Sequence, residues 1–307
     1  MDFRAYQTQA LATDQVPGSG DGELGAALIV PMLGLAGETG QLLSEYKKHL
    51  RDGEAHRLFK DRVSEELGDL LWYVANVASK FGLDLDDVAV RNLRKTQERW
   101  AAVSDQPLQF DSGFPDKERL PRQFEIEFAE AVISGRPKVC ISFNGESLGS
   151  PLGDNSYNDD GYRFHDVFHL AYAAILGWSP NLRAFLKRKR KSSPLLDEVE
   201  DGGRARILEE GVVALVFDYA RNHNFLEGVR DIDYGLLRTI KSMTSHLEIS
   251  QCTTADWQHA IFDGFAVWRE VVRNKSGRVV VDLDARSLTY LGPVASWSEI
   301  RGESSGV

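Results

Sequence analysis

The sequence has only two cysteines, Cys140 and Cys252, far apart in the chain. Neither a disulfide framework nor a thiolate zinc site is expected from them, and a reducing, cytoplasmic setting fits. There is no surplus of positive charge: 36 Lys and Arg stand against 46 Asp and Glu, for a formal charge of -10. A general nucleic-acid binder neutralises phosphates with excess Lys and Arg, so nucleic acid is not an expected partner. No Walker A sequence and no Rossmann glycine fingerprint occurs, which leaves kinase-like and dinucleotide chemistry without support. The first residues, "MDFRAYQTQALATDQ", hold no apolar run of signal-peptide length. No segment reads as approaching the roughly 18 apolar residues of a membrane span, so a soluble protein without a membrane partner is expected.

What is present is a chain of 307 residues, 42% of them hydrophobic. That length suggests two domains of roughly 150 residues each. Residues 3 to 13 read as a short helix, followed by the Pro- and Gly-dense "DQVPGSGDGELG". Apolar residues then recur at helical spacing over 28 to 51, 59 to 81 and 84 to about 103. Residues 104 to 122 lose that period, contain three prolines and read as a linker. Beyond it, "FEIEFAEAVIS" reads as helical and "PKVCISFNG" as a strand. Helices are expected at 162 to 176, 205 to 222, 232 to 248 and 255 to 274, before a hairpin in "GRVVVDLDARSLTYLG". The predicted fold class is mainly α: a helical bundle over 1–103, a linker over 104–122, and a second mostly helical domain with a small strand and hairpin element over 123–300.

On an ideal helix Glu38, Gln41 and Glu45 share one face. On the next helix, "SEELGDLLWY" places Glu66 three residues and Glu65 four residues before Asp69. Two such helices facing each other gather carboxylates whose repulsion and desolvation demand a neutralising charge. Magnesium suits a cluster of oxygen ligands without His or Cys. The alternative from spacing alone is a pair of exposed faces in which Glu is simply a good helix former. The third helix aligns Asn92, Lys95 and Arg99, which are placed to hold phosphates or to sit in solvent. Trp72 and Tyr73 are read as core residues rather than a stacking platform for a base.

The segments "FRAYQTQALAT", "GLAGETGQLLSEYKKH" and "EELGDLLWYVANVASKFGLDLDDVAVRNLRKTQERW" resemble the MazG-type all-α nucleoside triphosphate pyrophosphohydrolases over residues 3–100. That family carries ExxE and, further on, ExxD, four positions that bind magnesium and activate the water that cleaves between the α and β phosphates. The resemblance implies Glu38, Gln41, Glu66 and Asp69 as metal ligands, with Glu38, Glu66 and Asp69 catalytic. It also implies Asn92 and Lys95 at the substrate, Mg2+ with Mn2+ as a substitute, and a homo-oligomer or intramolecular pseudo-dimer. Gln41 departs from the family's Glu. An amide oxygen can coordinate a cation but brings no negative charge and cannot act as a base. The implied activity is hydrolysis of a nucleoside or deoxynucleoside triphosphate to the monophosphate and pyrophosphate. The alternative is a nucleotide-binding regulatory protein whose site has degenerated at Gln41.

In the second domain, His165 and His169 lie four residues apart with Asp166 between them, a spacing that can ligate a metal. Glu209 and Glu210 open a later helix whose "EEGVVALVFDYA" echoes "EELGDLLWYVANVA". The echo suggests a divergent second copy, although Val213 stands where Asp69 would be. His165 and Asp166 also resemble the centre of an HD-type phosphohydrolase. Asp218 could supply that family's later Asp, but no His lies between His56 and His165 to supply the earlier ligand. Chemistry in the His165, Asp166 and His169 cluster is therefore a second enzymatic alternative. The basic run Lys187 to Lys191 faces either a phosphate or the acidic "DEVED" that follows it.

Overall fold

The computed structural model describes residues 1–15, 24–100 and 108–294. The chain divides into two compact units, Met1–Gln97 and Glu98–Val307.

The first unit is helical. Helix α1 (Phe3–Ala12) starts at Asp2, whose side chain accepts a hydrogen bond from the Ala5 N–H and so satisfies one of the free amides of the first turn. Helices α2 (Leu24–Asp52) and α3 (Phe59–Lys80) are joined by one short 3-10 turn, Gly53–Ala55, and pack side by side. Gly34 of α2 leaves room for a side chain of α3: a Cβ there would fall 2.2 Å from the Tyr73 ring. Helix α4 (Leu85–Trp100) begins where Gln7 of α1 accepts the Leu85 N–H and donates to the Leu83 carbonyl. Trp72 donates to Thr13 and packs on a small core of Ala10, Ala75, Ala78 and Leu85, the structural role expected of it.

By length and composition, the helical stretch Ala27–Ala55, most of it α2, is apolar enough to cross a membrane, with a mean hydropathy of 1.2 over an 18-residue window. That corrects the expectation that no segment comes close. The same stretch carries Glu38, Glu45, Lys47 and Lys48 and lies along α3. The residues 16–23 of the predicted Gly-rich loop, the residues 101–103 that end the predicted third helix and the residues 104–107 that open the predicted linker lie outside the described residues.

The second unit is built on an antiparallel sheet of order β3-β2-β1-β4-β5. Strand β1 (Gln123–Ile133) covers the stretch read above as a helix. The correction has a visible cause: Phe124, Ile126 and Phe128 are buried and alternate with glutamates, which is a period of two. A two-residue turn at Ser134 and Gly135, both with positive φ, returns the chain into β2 (Arg136–Phe143). The short β3 (Glu146–Ser147) follows, and β4 (Ser276–Asp282) and β5 (Ser287–Gly292) form the expected closing hairpin.

Helix α5 (Asp166–Leu176) is the hub of this unit. Every residue from Val167 to Leu176 is buried, as an all-round apolar helix requires. Short helices α6 (Pro180–Phe185) and α7 (Pro194–Val199) lead into α8 (Gly203–Arg221), α9 (Tyr234–Met243) and α10 (Thr254–Asn274). Helices α5 and α10 pack on each other and on β4 and β5, around an aromatic core that includes Tyr172, Trp257, Phe168 and Phe265.

Within the predicted linker, residues 108–122 are tied down by Asp111, which is buried and accepts from the Leu120 N–H, Arg122 and Arg183. Two residues of the basic run take the internal alternative: Arg190 is fully buried between Asp201 and Glu248, and Lys189 pairs with Asp197. Desolvation opposes the Arg190 charge, but these carboxylates hold its pKa above the ordinary arginine value.

Candidate active site

Helix α2 supplies Glu38 and helix α3 supplies Glu66 and Asp69. One carboxylate oxygen from each can be chosen so that all three lie within 4.8 Å of one another. The i, i+3 spacing within α3 puts its two acids on the side where α2 packs. Glu66 is buried, Glu38 half-buried and Asp69 exposed, so the cluster opens to solvent on one side. Burial raises the Glu66 pKa, and Glu38, which shares a hydrogen bond with it, raises it further, as do Asp69 and Glu65. Among the described residues, none of the three carboxylates forms an ion pair with Lys, Arg or His.

Gln41, one turn along α2, donates its amide to Glu38 at 2.7 Å. The residue that departs from the acidic pattern thus orients a neighbouring carboxylate. The other acids nearby are committed elsewhere. Glu45 is buried against Lys48 and His56, 3.0 Å from His56 Nε2; its hydrogen bond with Lys48, above all, holds its pKa low. Glu65 pairs with Arg62 at 2.7 Å. Asn92 and Lys95 lie on an exposed face of α4 and are not members of the carboxylate cluster. The roles of His56 and Lys48 were not anticipated from sequence; the Lys48 spacing of three from Glu45 was the available signal.

Three carboxylates with no cationic partner among the described residues, one of them buried, fit a divalent cation. The donors are all oxygen, the open side leaves room for water or phosphate, and a hard cation such as Mg2+ prefers such a set. In this arrangement Glu38, Glu66 and Asp69 are the direct ligand candidates, and Gln41 supports Glu38.

The second-unit candidates also come together. His165 is the residue preceding α5, Asp166 and His169 are in its first turns, and Glu209 and Glu210 are in the first half of α8. Val213, the counterpart of Asp69 in the sequence echo, is buried in the apolar core. The echo therefore yields no second cluster of the Glu66–Asp69 kind. Asp218 is exposed and paired with Arg221, away from the HD-type role considered for it. Sequence reasoning missed Ser179 and Asn181, which donate to Glu209. The "SP" pair at a helix start was the signal for Ser179, whose side chain caps α6.

Residues 31–104 match the model of the MazG nucleotide pyrophosphohydrolase domain, and residues 105–293 match that of the MazG C-terminal domain. The chain belongs to the MazG-type family, and its first third carries the nucleotide pyrophosphohydrolase domain of that family. It is also similar to the "Gene 37 protein" of Mycobacterium phage L5, at 40% identity over 101 residues, covering 32% of this chain and 89% of the relative. No solved structure matches the chain.

Proposed function

We propose that the protein is a Mg2+-dependent hydrolase that converts a nucleoside or deoxynucleoside triphosphate to its monophosphate and pyrophosphate. The observation that carries this reading is the carboxylate cluster of Glu38, Glu66 and Asp69, within 4.8 Å of one another, inside the matched pyrophosphohydrolase domain. A bound Mg2+, with Mn2+ as a substitute, supplies Lewis-acid polarisation of a phosphoryl oxygen and a more acidic water.

The remaining work belongs to the chain. Asp69, exposed at the mouth, faces the solvent from which substrate arrives. Glu38 is held in place by the Gln41 amide at 2.7 Å. Glu66, whose burial and like-charged neighbours raise its proton affinity, is the group suited to take a proton from the attacking water. Lys95 and Asn92 on α4 are proposed to hold phosphate and sugar, and the assembly is proposed to be a homo-oligomer or an intramolecular pseudo-dimer acting in the cytoplasm.

The test is a panel of canonical and modified nucleoside triphosphates with Mg2+, in which pyrophosphate is separated from single phosphate. Pyrophosphate release by the native chain that falls by more than about 100-fold in Glu66→Ala is the expected result. Release of single phosphate, or turnover indifferent to Glu66→Ala, would overturn the assignment.

A further inference from the structure

The second unit gathers five ionisable side chains, His165, Asp166, His169, Glu209 and Glu210, that the proposed hydrolysis in the first unit leaves unused. Both imidazoles are held the same way round. His165 Nδ1 lies 2.9 Å from the Tyr162 carbonyl oxygen, which can only accept, so Nδ1 carries the proton and Nε2 presents a lone pair. His169 Nδ1 lies 2.8 Å from Glu209 Oε1, an acceptor that selects the same tautomer. Glu209 is itself fixed by the Ser179 hydroxyl at 2.6 Å and the Asn181 N–H at 2.9 Å. The Tyr162 ring stacks on His165 at 4.6 Å and limits its rotation.

The two Nε2 atoms turn toward the same carboxylates. Asp166 Oδ1 is 3.2 Å from His165 Nε2 and 3.9 Å from His169 Nε2. Glu210 reverses the pattern, 3.9 Å from His165 Nε2 and 3.2 Å from His169 Nε2. His169 is 1% exposed, and its buried Nε2 has Glu210 Oε1 at 3.2 Å but makes no well-formed hydrogen bond. A buried nitrogen lone pair aimed among carboxylates is costly unless a positive charge lies between them.

We propose that His165 Nε2, His169 Nε2, Asp166 and Glu210 form a binding site for a first-row transition-metal ion, with Glu209 as the group that orients His169. Two imidazoles and two carboxylates suit Zn2+ or Mn2+ far better than Mg2+, which prefers oxygen alone. Bonds of about 2.0–2.1 Å in a tetrahedron put ligand atoms about 3.3 Å apart. Asp166 Oδ1, at 3.2 and 3.9 Å from the two Nε2 atoms, brackets that value, and Glu210 offers one oxygen to each imidazole, Oε2 at 3.9 Å from His165 and Oε1 at 3.2 Å from His169. The His169–Glu209 pair is a carboxylate–histidine–metal arrangement awaiting its ion. On one side, Asp166 and His169 border an apolar crevice of about 10 Å³, roughly one water in size. The Glu210 side chain is 42% exposed, which leaves a route past it for a water or an anionic oxygen as an additional ligand.

The competing occupant is a proton on His169, paired with Glu209 and Glu210. The experiment uses the full chain carrying Glu38→Ala and Glu66→Ala, which removes the first-unit ligands, titrated with Zn2+ or Mn2+ alone by calorimetry. One equivalent is expected to bind. Pulsed EPR of the Mn2+ form should show nitrogen couplings from imidazole, which an all-oxygen site cannot give. Added to that background, His165→Ala and Glu210→Gln should each weaken binding by more than about 100-fold, beyond the usual range for changes outside the ligand shell. Near-UV circular dichroism should confirm the fold, and half-exposed Glu210 is the variant least able to disturb it. Absence of saturable binding, an oxygen-only EPR signature, or affinity unmoved by Glu210→Gln would overturn the site. None of these readouts depends on hydrolysis in the first unit.

Discussion

Replacing Glu209 with alanine should destabilise the second unit by about 3–5 kcal/mol, the range for breaking a buried charge pair. Glu209 is 0% exposed and accepts three hydrogen bonds, from His169 Nδ1 at 2.8 Å, Ser179 Oγ at 2.6 Å and the Asn181 N–H at 2.9 Å. Each buried donor left without a partner costs about 1–3 kcal/mol, so the three losses alone reach about 3–9 kcal/mol. Removing one anion from beside Asp166 and Glu210 relieves repulsion and offsets part of that cost. Ser179 adds a further link, because its hydroxyl also accepts the Leu182 N–H at the start of α6. Glu209→Gln keeps one acceptor oxygen but turns an NH2 toward a donor, so it should lose less, about 1–3 kcal/mol. The assay is urea unfolding followed by near-UV circular dichroism of the buried Trp178, Trp257 and Trp268, with EDTA present so that metal contributes nothing. A loss below about 1 kcal/mol for Glu209→Ala, or a larger loss for Gln than for Ala, would refute the reasoning.

Two other outcomes follow from ionisable groups. Burial and then the neighbouring Glu248 push the Glu200 carboxyl up to about 7 from 4.5, while Arg190 opposes them. The folded form therefore favours the proton, and this contribution is complete below about pH 4.5 and lost as pH rises through about 7. After allowance for screening by water, Glu200→Gln should be about 1–3 kcal/mol more stable than the native chain at about pH 8 and no more stable at about pH 4. Parallel Tm-against-pH curves for the two proteins would reject this. Gln41→Glu adds a fourth carboxylate beside Glu38. It should lower the Mg2+ concentration needed for half-maximal pyrophosphate release by about 3- to 10-fold, unless the lost Gln41–Glu38 hydrogen bond misplaces Glu38, which would show as an unchanged or higher requirement.

The first unit was the more readable half because its chemistry follows helical periodicity. Glu66 and Asp69 could be placed on one face from spacing alone, since i, i+3 neighbours share a face whatever the rest of the chain does, and the resemblance joined Glu38 to them. The resemblance supplied the rest, down to the family that the domain matches later established. The commitment of Glu45 to His56 was not readable, because it depends on how the turn after α2 folds back. In the second unit, the sheet pairing of β1 was written in the Phe–Glu–Ile–Glu–Phe alternation, but the Ala–Glu–Ala sequence that follows it favours a helix and obscured it. The His165, Asp166 and His169 grouping was visible as spacing, whereas the contribution of Glu209 and Ser179 required two segments thirty residues apart to meet. The pairing of Arg190 with Asp201 was signalled by the acidic "DEVED" after the basic run, whereas its second partner, Glu248, becomes a neighbour only through the tertiary fold.

The order of strands in the second unit also sets a timetable. Strand β1 is central, yet one of its two neighbours, β4, arrives roughly 150 residues later in the chain. During synthesis, the β1–β2 hairpin can close as soon as its two-residue turn is made, but its other edge stays unpaired until residues 276–282 have emerged. The helices of the first unit need no such wait, because α2 and α3 meet through a short local connection. A ribosome-bound chain paused before residue 276 would thus carry a finished helical pair followed by a sheet with an adhesive edge, the stage at which this protein most needs a chaperone.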